Sequence, residues 1–140
     1  HDVNKIVRTK RGFDQVLHEG DVVICLKNNY DFMVFNGMQA TVRKIQKRRG
    51  RNIEMQIETE DGELIEIVCL KEQFGREVIK DHMDREIALF DYGYGLTCHK
   101  SQGSEFARVA VLEEVASMWD RRRWAYTATT RARDVLLYCS

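Results

Sequence analysis

The chain of 140 residues contains no proline and no glycine- and serine-rich linker. The missing linker argues against a flexible tether, so any two modules must be joined tightly. No apolar run approaches the roughly 20 residues that a helix needs to cross a bilayer. The N-terminal stretch also lacks the apolar core of an export signal. These absences predict a soluble, cytoplasmic protein with no membrane partner, and a hydrophobic content of 44% is typical of a folded chain.

Cysteine is sparse, and its spacing argues against both a disulfide framework and a metal site. No C-x-x-C pair occurs, and no histidines follow at the spacing of a zinc finger. Single, scattered cysteines favour a reduced compartment. Cys25 and Cys69 fall in apolar, strand-like runs, where burial as small hydrophobic residues is expected. The sequence therefore predicts no bound metal near the four cysteines, which are Cys25, Cys69, Cys98 and Cys139.

An excess of one charge sign is also absent, because the formal net charge is zero. The chain as a whole is therefore not a polycation that coats nucleic acid. Charge is nevertheless segregated: residues 43–51 carry six Lys or Arg, and residues 52–66 carry six Asp or Glu. A local basic stripe can bind phosphate because distant charges are screened beyond about 10 Å. For the basic turn at 47–51, contact with a DNA backbone and a merely solubilising hairpin tip are both open.

The first half of the chain has the pattern of a short helix followed by short strands. Apolar residues before Gly12 suit a helix that ends at this glycine. Turn signals at Asn36-Gly37 and Asp61-Gly62 separate β-type runs, and residues 52–59 alternate between apolar and polar side chains. Four or five short strands between residues 20 and 72 predict a small antiparallel barrel.

The second half has a different pattern. Residues 78–90 are mixed and suit a crossover that ends in a strand. Residues 109–115 suit a buried strand, 121–134 a helix and 135–140 a final strand. Strand, helix and strand in this order predict a fragment of an α/β sheet.

The stretch "LTCHKSQGSEF", residues 96–106, concentrates groups that bind phosphate. It is predicted to connect two strands, where α/β proteins place ligand contacts. Hydroxyl and cationic side chains are hydrogen-bond donors, and a glycine lets the backbone approach a ligand closely. Taken alone, the stretch fits a solvated loop, with Gly103 as a helix C-cap, better than a ligand site. The groups concerned are Thr97, His99, Lys100, Ser101 and Gly103.

A second constellation is "RRRWAYTATTRARD", residues 121–134. In a helix, Thr127 and Arg131 lie four residues apart on one face. An arginine beside a nucleotide site can act as an arginine finger, which stabilises charge on a transferred phosphoryl group. An exposed amphipathic helix with salt-bridging arginines is the alternative.

Taken together, these stretches resemble a known family. "LTCHKSQGSEF" resembles motif V and "WAYTATTRA" motif VI of superfamily I DNA helicases, in particular the RecD-like and UvrD-like C-terminal region. "GDVVICLKNNYDFMVFNG" looks like the start of the SH3-like barrel that precedes motif V in such helicases. The resemblance implies an α/β fragment of a RecA-like motor domain with an inserted small antiparallel SH3-like β-barrel. The barrel would span residues 15–75, and residues 1–14 and 76–140 would belong to the second motor domain.

The resemblance also implies DNA-contacting residues. In motif V of such helicases, the residues that match Thr97 and His99 contact the phosphate backbone of single-stranded DNA. Lys100 and Ser101 belong to the same segment and are further candidates for this contact. For the aromatic residues Tyr30, Phe32, Phe35 and Trp119, base stacking and ordinary packing are both open.

Nucleotide-contacting residues follow from the same resemblance. Gly103 and Glu105 would approach the nucleotide, with Glu105 near the ribose hydroxyl. Arg131 of motif VI would be the catalytic arginine finger that reaches the γ-phosphate of ATP. Motif V would then respond to DNA at one end and to ATP at the other.

The sequence contains no G-x-x-x-x-G-K-[ST] phosphate loop and no strand that ends in paired acids. The chain therefore resembles the C-terminal portion of a longer ATP-dependent DNA helicase with roles in repair or recombination, and it is expected to be inactive alone. ATP and Mg²⁺ would be cofactors of the full-length enzyme, with the Mg²⁺ ligands outside this chain. Expected partners are single-stranded DNA or a duplex junction, and the first motor domain of the same protein. The alternative is a non-enzymatic SH3-like module that binds nucleic acid or protein and carries remnant helicase motifs.

Overall fold

The computed structural model describes residues 2–14, 16–76, 84–113 and 120–139. The chain forms two compact units, His1–Gly95 and Leu96–Ser140. Within the described residues, no helix is long and apolar enough to span a membrane. The first unit comprises α1 (Asp2–Lys10), β1 (Val22–Cys25), β2 (Gln39–Arg49), β3 (Asn52–Thr59), β4 (Leu64–Leu70), a 3₁₀ turn (Lys71–Gln73) and β5 (Phe90–Tyr92); the second comprises β6 (Phe106–Leu112), α2 (Arg121–Thr129) and β7 (Ala132–Cys139).

The first unit is built on one antiparallel sheet with the strand order β4-β3-β2-β1-β5. The alternation predicted from the sequence is confirmed in β3, where every second residue is buried. One face of the sheet covers the hydrophobic core, and the other carries the charged side chains. The core comprises Leu17, Val23, Cys25, Val34, Ala40, Val42, Ile53, Met55, Ile57, Ile67, Cys69, Ala88, Phe90 and Tyr92.

The turns and the helix end that the glycines predict are confirmed. Gly12, Gly37 and Gly62 have φ angles of 75°, 86° and 84°, which L side chains rarely adopt. At the end of α1, the Phe13 N–H donates to the Arg8 carbonyl at 2.9 Å, which closes the last turn. These chain reversals therefore lie where the local backbone preference of glycine predicts them.

A closed barrel is not confirmed. The edge strands β4 and β5 do not pair with each other in the part of the chain that the structure describes. Ala88, just before β5, forms an isolated bridge to Cys69 of β4: its N–H donates to the Val68 carbonyl at 2.7 Å, and its carbonyl accepts from the Leu70 N–H at 3.4 Å. A 3₁₀ turn follows β4, and β5 has only three residues. No continuous ladder between these two strands occurs in the described residues. The sequence pattern indicates the strands, but it does not determine whether the two edge strands pair with each other.

Helix α1 is attached to the sheet by a buried ion pair. Asp21 is fully buried and accepts hydrogen bonds from Arg8 Nε at 3.0 Å and from the Tyr94 hydroxyl at 2.9 Å. The backbone N–H of His18 donates to the same carboxylate at 2.8 Å. The Arg8 guanidinium lies 4.2 Å from the centre of the Tyr92 ring. The compact unit therefore includes α1 and β5, which lie outside residues 15–75; the proposed insertion boundaries remain a prediction.

The buried thiols predict a loss of stability at alkaline pH. Burial raises the pKa of Cys25 to about 11 and that of Cys69 to about 12, from an ordinary value of 9.0. Above pH 9 the unfolded chain releases these protons while the folded chain keeps them, so folding becomes less favourable between pH 9 and 12. We expect the free energy of unfolding, measured by urea denaturation under reducing conditions, to fall from pH 8 to pH 10.5. Cys69→Ala should make the fall shallower, and an unchanged slope would contradict the prediction.

The second unit confirms the predicted strand, helix and strand. Strands β6 and β7 are parallel and pair directly, as in an α/β sheet. The helix is shorter than the predicted 121–134, because α2 ends at Thr129 and β7 begins at Ala132. Its last turn carries threonines whose hydroxyls donate to carbonyls three or four residues earlier, which weakens helix propagation. Residues 77–83 and 114–119, including the first part of the predicted crossover and Trp119, lie outside the described residues.

Candidate functional site

The motif V segment folds into consecutive tight turns. The Ser101 N–H donates to the Thr97 carbonyl at 3.1 Å, and the Ser104 N–H donates to the Ser101 carbonyl at 3.1 Å. The segment does connect two strands, as predicted, but these strands belong to different sheets. Within the described residues, β5 pairs with β1 and β6 pairs with β7. Pairing partners that are distant in sequence decide this, and the run before motif V does not indicate them.

The candidate DNA-binding side chains have different environments. Thr97 and His99 are exposed, so both can reach a phosphate group. Lys100 is half-buried, and its backbone N–H donates to the Thr97 hydroxyl at 3.3 Å. Ser101 is buried, and its hydroxyl donates to the Cys98 carbonyl at 2.8 Å, which stabilises the turn. The geometry favours Thr97 and His99 as the exposed pair for a phosphate backbone, while Ser101 holds the turn.

Gly103 and Glu105 lie at the other end of these turns, next to β6. Gly103 has a φ of 80°, and no atom lies within 4 Å of the place that a Cβ would occupy. Glu105 is exposed. The backbone at Gly103 is therefore open to a ligand, and the carboxylate of Glu105 is available beside it. Their contact with a nucleotide stays a prediction.

Arg131, the candidate arginine finger, lies immediately after α2 and joins motif VI to motif V. Its three guanidinium nitrogens each donate a hydrogen bond. Nε donates to the Thr127 carbonyl at 3.1 Å, Nη1 to the Ser104 carbonyl at 3.1 Å and Nη2 to the Thr130 hydroxyl at 3.2 Å. The structure thus brings Arg131 into direct contact with the backbone between Gly103 and Glu105.

The two motifs are also connected through the backbone. The Phe106 N–H donates to the Arg131 carbonyl at 2.8 Å at the start of the β6–β7 pairing. The Cys98 thiol lies 3.8 Å from the Trp124 carbonyl. Burial raises the pKa of this thiol, and the nearby positive charge of Arg131 partly opposes the shift. The second unit therefore holds both predicted motifs in one continuous network.

Sequence reasoning missed two contributors to this network, Thr130 and the carbonyl of Ser104. The position of Thr130 next to Arg131 was a usable signal for the first. No sequence signal indicates the second, because a main-chain carbonyl is present at every position. A third missed feature is Glu113, which accepts hydrogen bonds from Arg121 and from the Tyr138 hydroxyl. The hydrogen bond from Arg121, followed by that from Tyr138, lowers the pKa of this carboxyl.

Several cations of the basic stripe at residues 43–51 already have hydrogen-bonding partners within the first unit. Arg43 pairs with Glu58, Arg51 pairs with Glu72, and Arg48 donates to the Leu17 carbonyl. Within the described residues, three exposed cations of this stripe have no such partner. They are Lys44, Lys47 and Arg49.

The aromatic candidates for base stacking differ in their solvent exposure. Tyr30 is 70% exposed and Phe35 40% exposed, and their rings meet edge to face at 6.0 Å. Phe32 packs against the hydrophobic core instead. Stacking on a base is therefore sterically open to Tyr30 and Phe35 only, among the candidates that the structure describes.

The fold and the two joined motifs correspond to a known class of protein. Residues 92–137, which include both motifs, match the family model of the UvrD-like helicase C-terminal domain. This match confirms the predicted resemblance to the C-terminal region of superfamily I helicases.

Individual relatives point to the same class. The chain is 34% identical over 116 residues to the ATP-dependent RecD2 DNA helicase of Deinococcus radiodurans. The aligned region covers 82% of this chain and 13% of that protein. It is 31% identical over 134 residues to the conjugal transfer protein TraA of Agrobacterium fabrum, covering 95% of this chain and 10% of TraA. The chain therefore spans about a tenth of the length of the curated relatives it matches.

Solved structures of a helicase share the fold. Pif1 helicase from Bacteroides in complex with ADP-AlF3 and ssDNA aligns with a TM-score of 0.59 over 99% of this chain and 38% of that chain, at 17% identity. A double mutant of the same helicase aligns with a TM-score of 0.56 at 19% identity, over 87% of this chain and 28% of that one. At this level of identity, the likeness establishes the fold.

Proposed function

We propose that this chain is the C-terminal portion of an ATP-dependent DNA helicase that couples ATP hydrolysis to translocation on single-stranded DNA and to unwinding. The observation that carries the proposal is the hydrogen bond from Arg131 to the Ser104 carbonyl, which joins motif VI to motif V. RecD2, a relative, is an ATP-dependent DNA helicase, and Pif1, which shares the fold, forms a complex with ADP-AlF3 and ssDNA. In this proposal the first unit carries an SH3-like insertion at residues 15–75 of the second RecA-like motor domain.

In the full-length enzyme, ATP would bind between this domain and the first motor domain of the same protein. Arg131 would donate hydrogen bonds to the γ-phosphate and stabilise the charge that develops during phosphoryl transfer. Glu105 would accept a hydrogen bond from the ribose. Mg²⁺ would neutralise phosphate charge, and its ligands would lie in the first motor domain of the same protein.

DNA would bind at the other end of the same segment. Thr97 and His99 would contact phosphate groups of single-stranded DNA, and Lys100 would add positive charge. Hydrogen-bonded turns run without interruption from Thr97 to Ser104, whose carbonyl binds Arg131. A shift of the DNA-binding end would therefore be transmitted to the arginine.

The experiment that tests this function measures ATP hydrolysis and strand displacement by the purified full-length protein. We expect hydrolysis that is stimulated by single-stranded DNA, together with unwinding of a duplex that carries a single-stranded tail. A full-length protein that is folded but shows no DNA-stimulated hydrolysis would refute the proposal.

Binding of the isolated chain to single-stranded DNA is expected to be weak and to fall with salt. Each neutralised phosphate contributes about −0.7 to the slope of log K against log salt. Replacing Lys47 and Arg49 by serine should make the slope shallower if the basic turn contacts the backbone. Fluorescence anisotropy with a labelled oligothymidylate measures this, and the matched control replaces Lys5 and Lys10 of α1 by serine. An equal change in both variants would contradict a role for the turn.

A further inference from the structure

We propose that Thr130 is a positioning residue for Arg131, and that its hydroxyl holds the guanidinium in the orientation that a phosphoryl group requires. This inference rests on the proposed function of Arg131 as the arginine finger. Motif resemblance points to the arginine alone. The role of its neighbour comes from the hydrogen bonds around the guanidinium.

Three acceptors surround the Arg131 side chain and fix its plane. The Thr127 carbonyl binds Nε, the Ser104 carbonyl binds Nη1 and the Thr130 hydroxyl binds Nη2, at 3.1, 3.1 and 3.2 Å. Two of these acceptors are main-chain atoms held by the end of α2 and by the motif V turns. The Thr130 hydroxyl is the one side-chain acceptor among the three. It is therefore the contact that a substitution can remove without a change to the backbone.

The Thr130 hydroxyl has its own orientation fixed by the helix. Its oxygen lies 2.8 Å from the Tyr126 carbonyl and 3.2 Å from the Thr127 carbonyl, so its single hydrogen points to the end of α2. A hydroxyl has one donor and two acceptor lone pairs. With the donor used by the helix, the oxygen can only accept from Nη2 of Arg131. Valine has the same shape as threonine but cannot accept this bond.

The arrangement leaves the guanidinium able to bind an anion. Arginine has five N–H donors, of which the three contacts use one on each nitrogen. One N–H therefore remains on Nη1 and one on Nη2, and within the described residues the guanidinium makes no hydrogen bond beyond these three. These two N–H groups form a fork that matches two oxygens of a phosphoryl group. Because three contacts already fix the plane, the arginine does not need to reorganise when the transition state forms.

Two neighbouring threonines provide matched controls. The Thr127 hydroxyl donates to the Arg123 carbonyl at 2.9 Å, and the Thr129 hydroxyl donates to the Ala125 carbonyl at 2.8 Å. Neither of these hydroxyls contacts Arg131 in the structure. Thr129→Val therefore removes a hydroxyl bond to α2, as Thr130→Val does, but leaves the guanidinium contacts in place.

The test compares DNA-stimulated ATP hydrolysis of four full-length proteins: wild type, Thr130→Val, Thr130→Ser and Thr129→Val. We expect Thr130→Val to lower kcat by roughly 10- to 100-fold, the size of effect that a displaced catalytic group produces. The KM for ATP should stay within about twofold, because the finger acts in the transition state. Thr130→Ser should keep most of the activity, and Thr129→Val should behave as wild type. Equal losses in Thr130→Val and Thr129→Val, or no loss in either, would overturn the proposal.

A second measurement does not depend on hydrolysis. The side-chain Nε–H signal of Arg131 in the isolated chain reports how firmly the guanidinium is held. We expect its exchange with water to be several-fold faster in Thr130→Val than in wild type or Thr130→Ser, and unchanged in Thr129→Val. Unchanged exchange in Thr130→Val would overturn the positioning role. If exchange behaves as expected but Arg131→Ala hydrolyses ATP normally, the arginine finger assignment fails and the hydrogen-bond arrangement stands.

Discussion

Replacing Arg131 by alanine in the full-length protein is expected to lower the rate of ATP hydrolysis by about 10³- to 10⁵-fold, as loss of an arginine finger does. The physical reason is that the guanidinium carries a fixed positive charge at the end of α2, where three hydrogen bonds orient it. Alanine removes both the charge and the fork of donors. The measurement is steady-state hydrolysis at saturating ATP and single-stranded DNA.

Two further variants make the Arg131 experiment specific. Arg131→Lys keeps the charge but loses the planar fork, so most of the activity should still be lost. Arg133→Ala is the matched control, because Arg133 is exposed on β7 and pairs with Asp134 at 3.2 Å. We expect this control to keep near wild-type turnover. Wild-type turnover in Arg131→Ala, with a normal thermal unfolding profile, would refute the assignment of Arg131 as an arginine finger.

Replacing Asp21 by alanine is expected to lower the free energy of unfolding by about 3–5 kcal/mol, the cost of removing one partner of a buried ion pair. Asp21 is fully buried, and it accepts hydrogen bonds from Arg8 and from the Tyr94 hydroxyl. Without the carboxylate, the Arg8 guanidinium loses its hydrogen bonds to Asp21, and the Tyr94 hydroxyl loses its acceptor. Urea denaturation of the isolated chain, followed by circular dichroism, measures the loss.

The control for Asp21 is a pair of the same chemistry at the surface. Asp134→Ala removes the partner of Arg133, and both of these side chains are more than half exposed. Surface ion pairs contribute at most about 1 kcal/mol, so this variant should be almost as stable as wild type. Similar losses in the two variants would mean that burial does not set the energy of the Arg8–Asp21 pair.

Both networks in these predictions were out of reach of sequence reasoning, although each contains a residue that the sequence makes conspicuous. Motif resemblance indicates Arg131, but the Ser104 carbonyl lies 27 residues away and has no sequence signal. Asp21 stands before an apolar run, where a surface turn is the ordinary expectation. Its partner Tyr94 lies 73 residues away. Long-range pairings of this kind depend on how the whole chain packs.

Local features were predictable from the sequence because they depend on neighbouring residues and not on long-range packing. The alternation in β3 reflects burial of one sheet face, and it repeats every two residues whatever the rest of the chain does. Gly37 and Gly62 mark turns because positive φ costs glycine nothing. The extent of α2 was overestimated because helix propensity does not register the competing pairing of Ala132 with Phe106. Closure of the barrel is not confirmed for a related reason, because it depends on pairing between the two edge strands.

The sequence by itself determined the strands, the chain reversals and the presence of motifs V and VI, because periodic burial, glycine conformation and side-chain chemistry are local properties. Only the tertiary structure decided that β4 and β5 do not pair within the described residues, that α1 is held by a buried Arg8–Asp21 pair, and that Arg131 donates to the Ser104 carbonyl. Each of these depends on atoms from distant parts of the chain, or on main-chain carbonyls that every residue has. Their positions follow from packing and are not encoded at any single site.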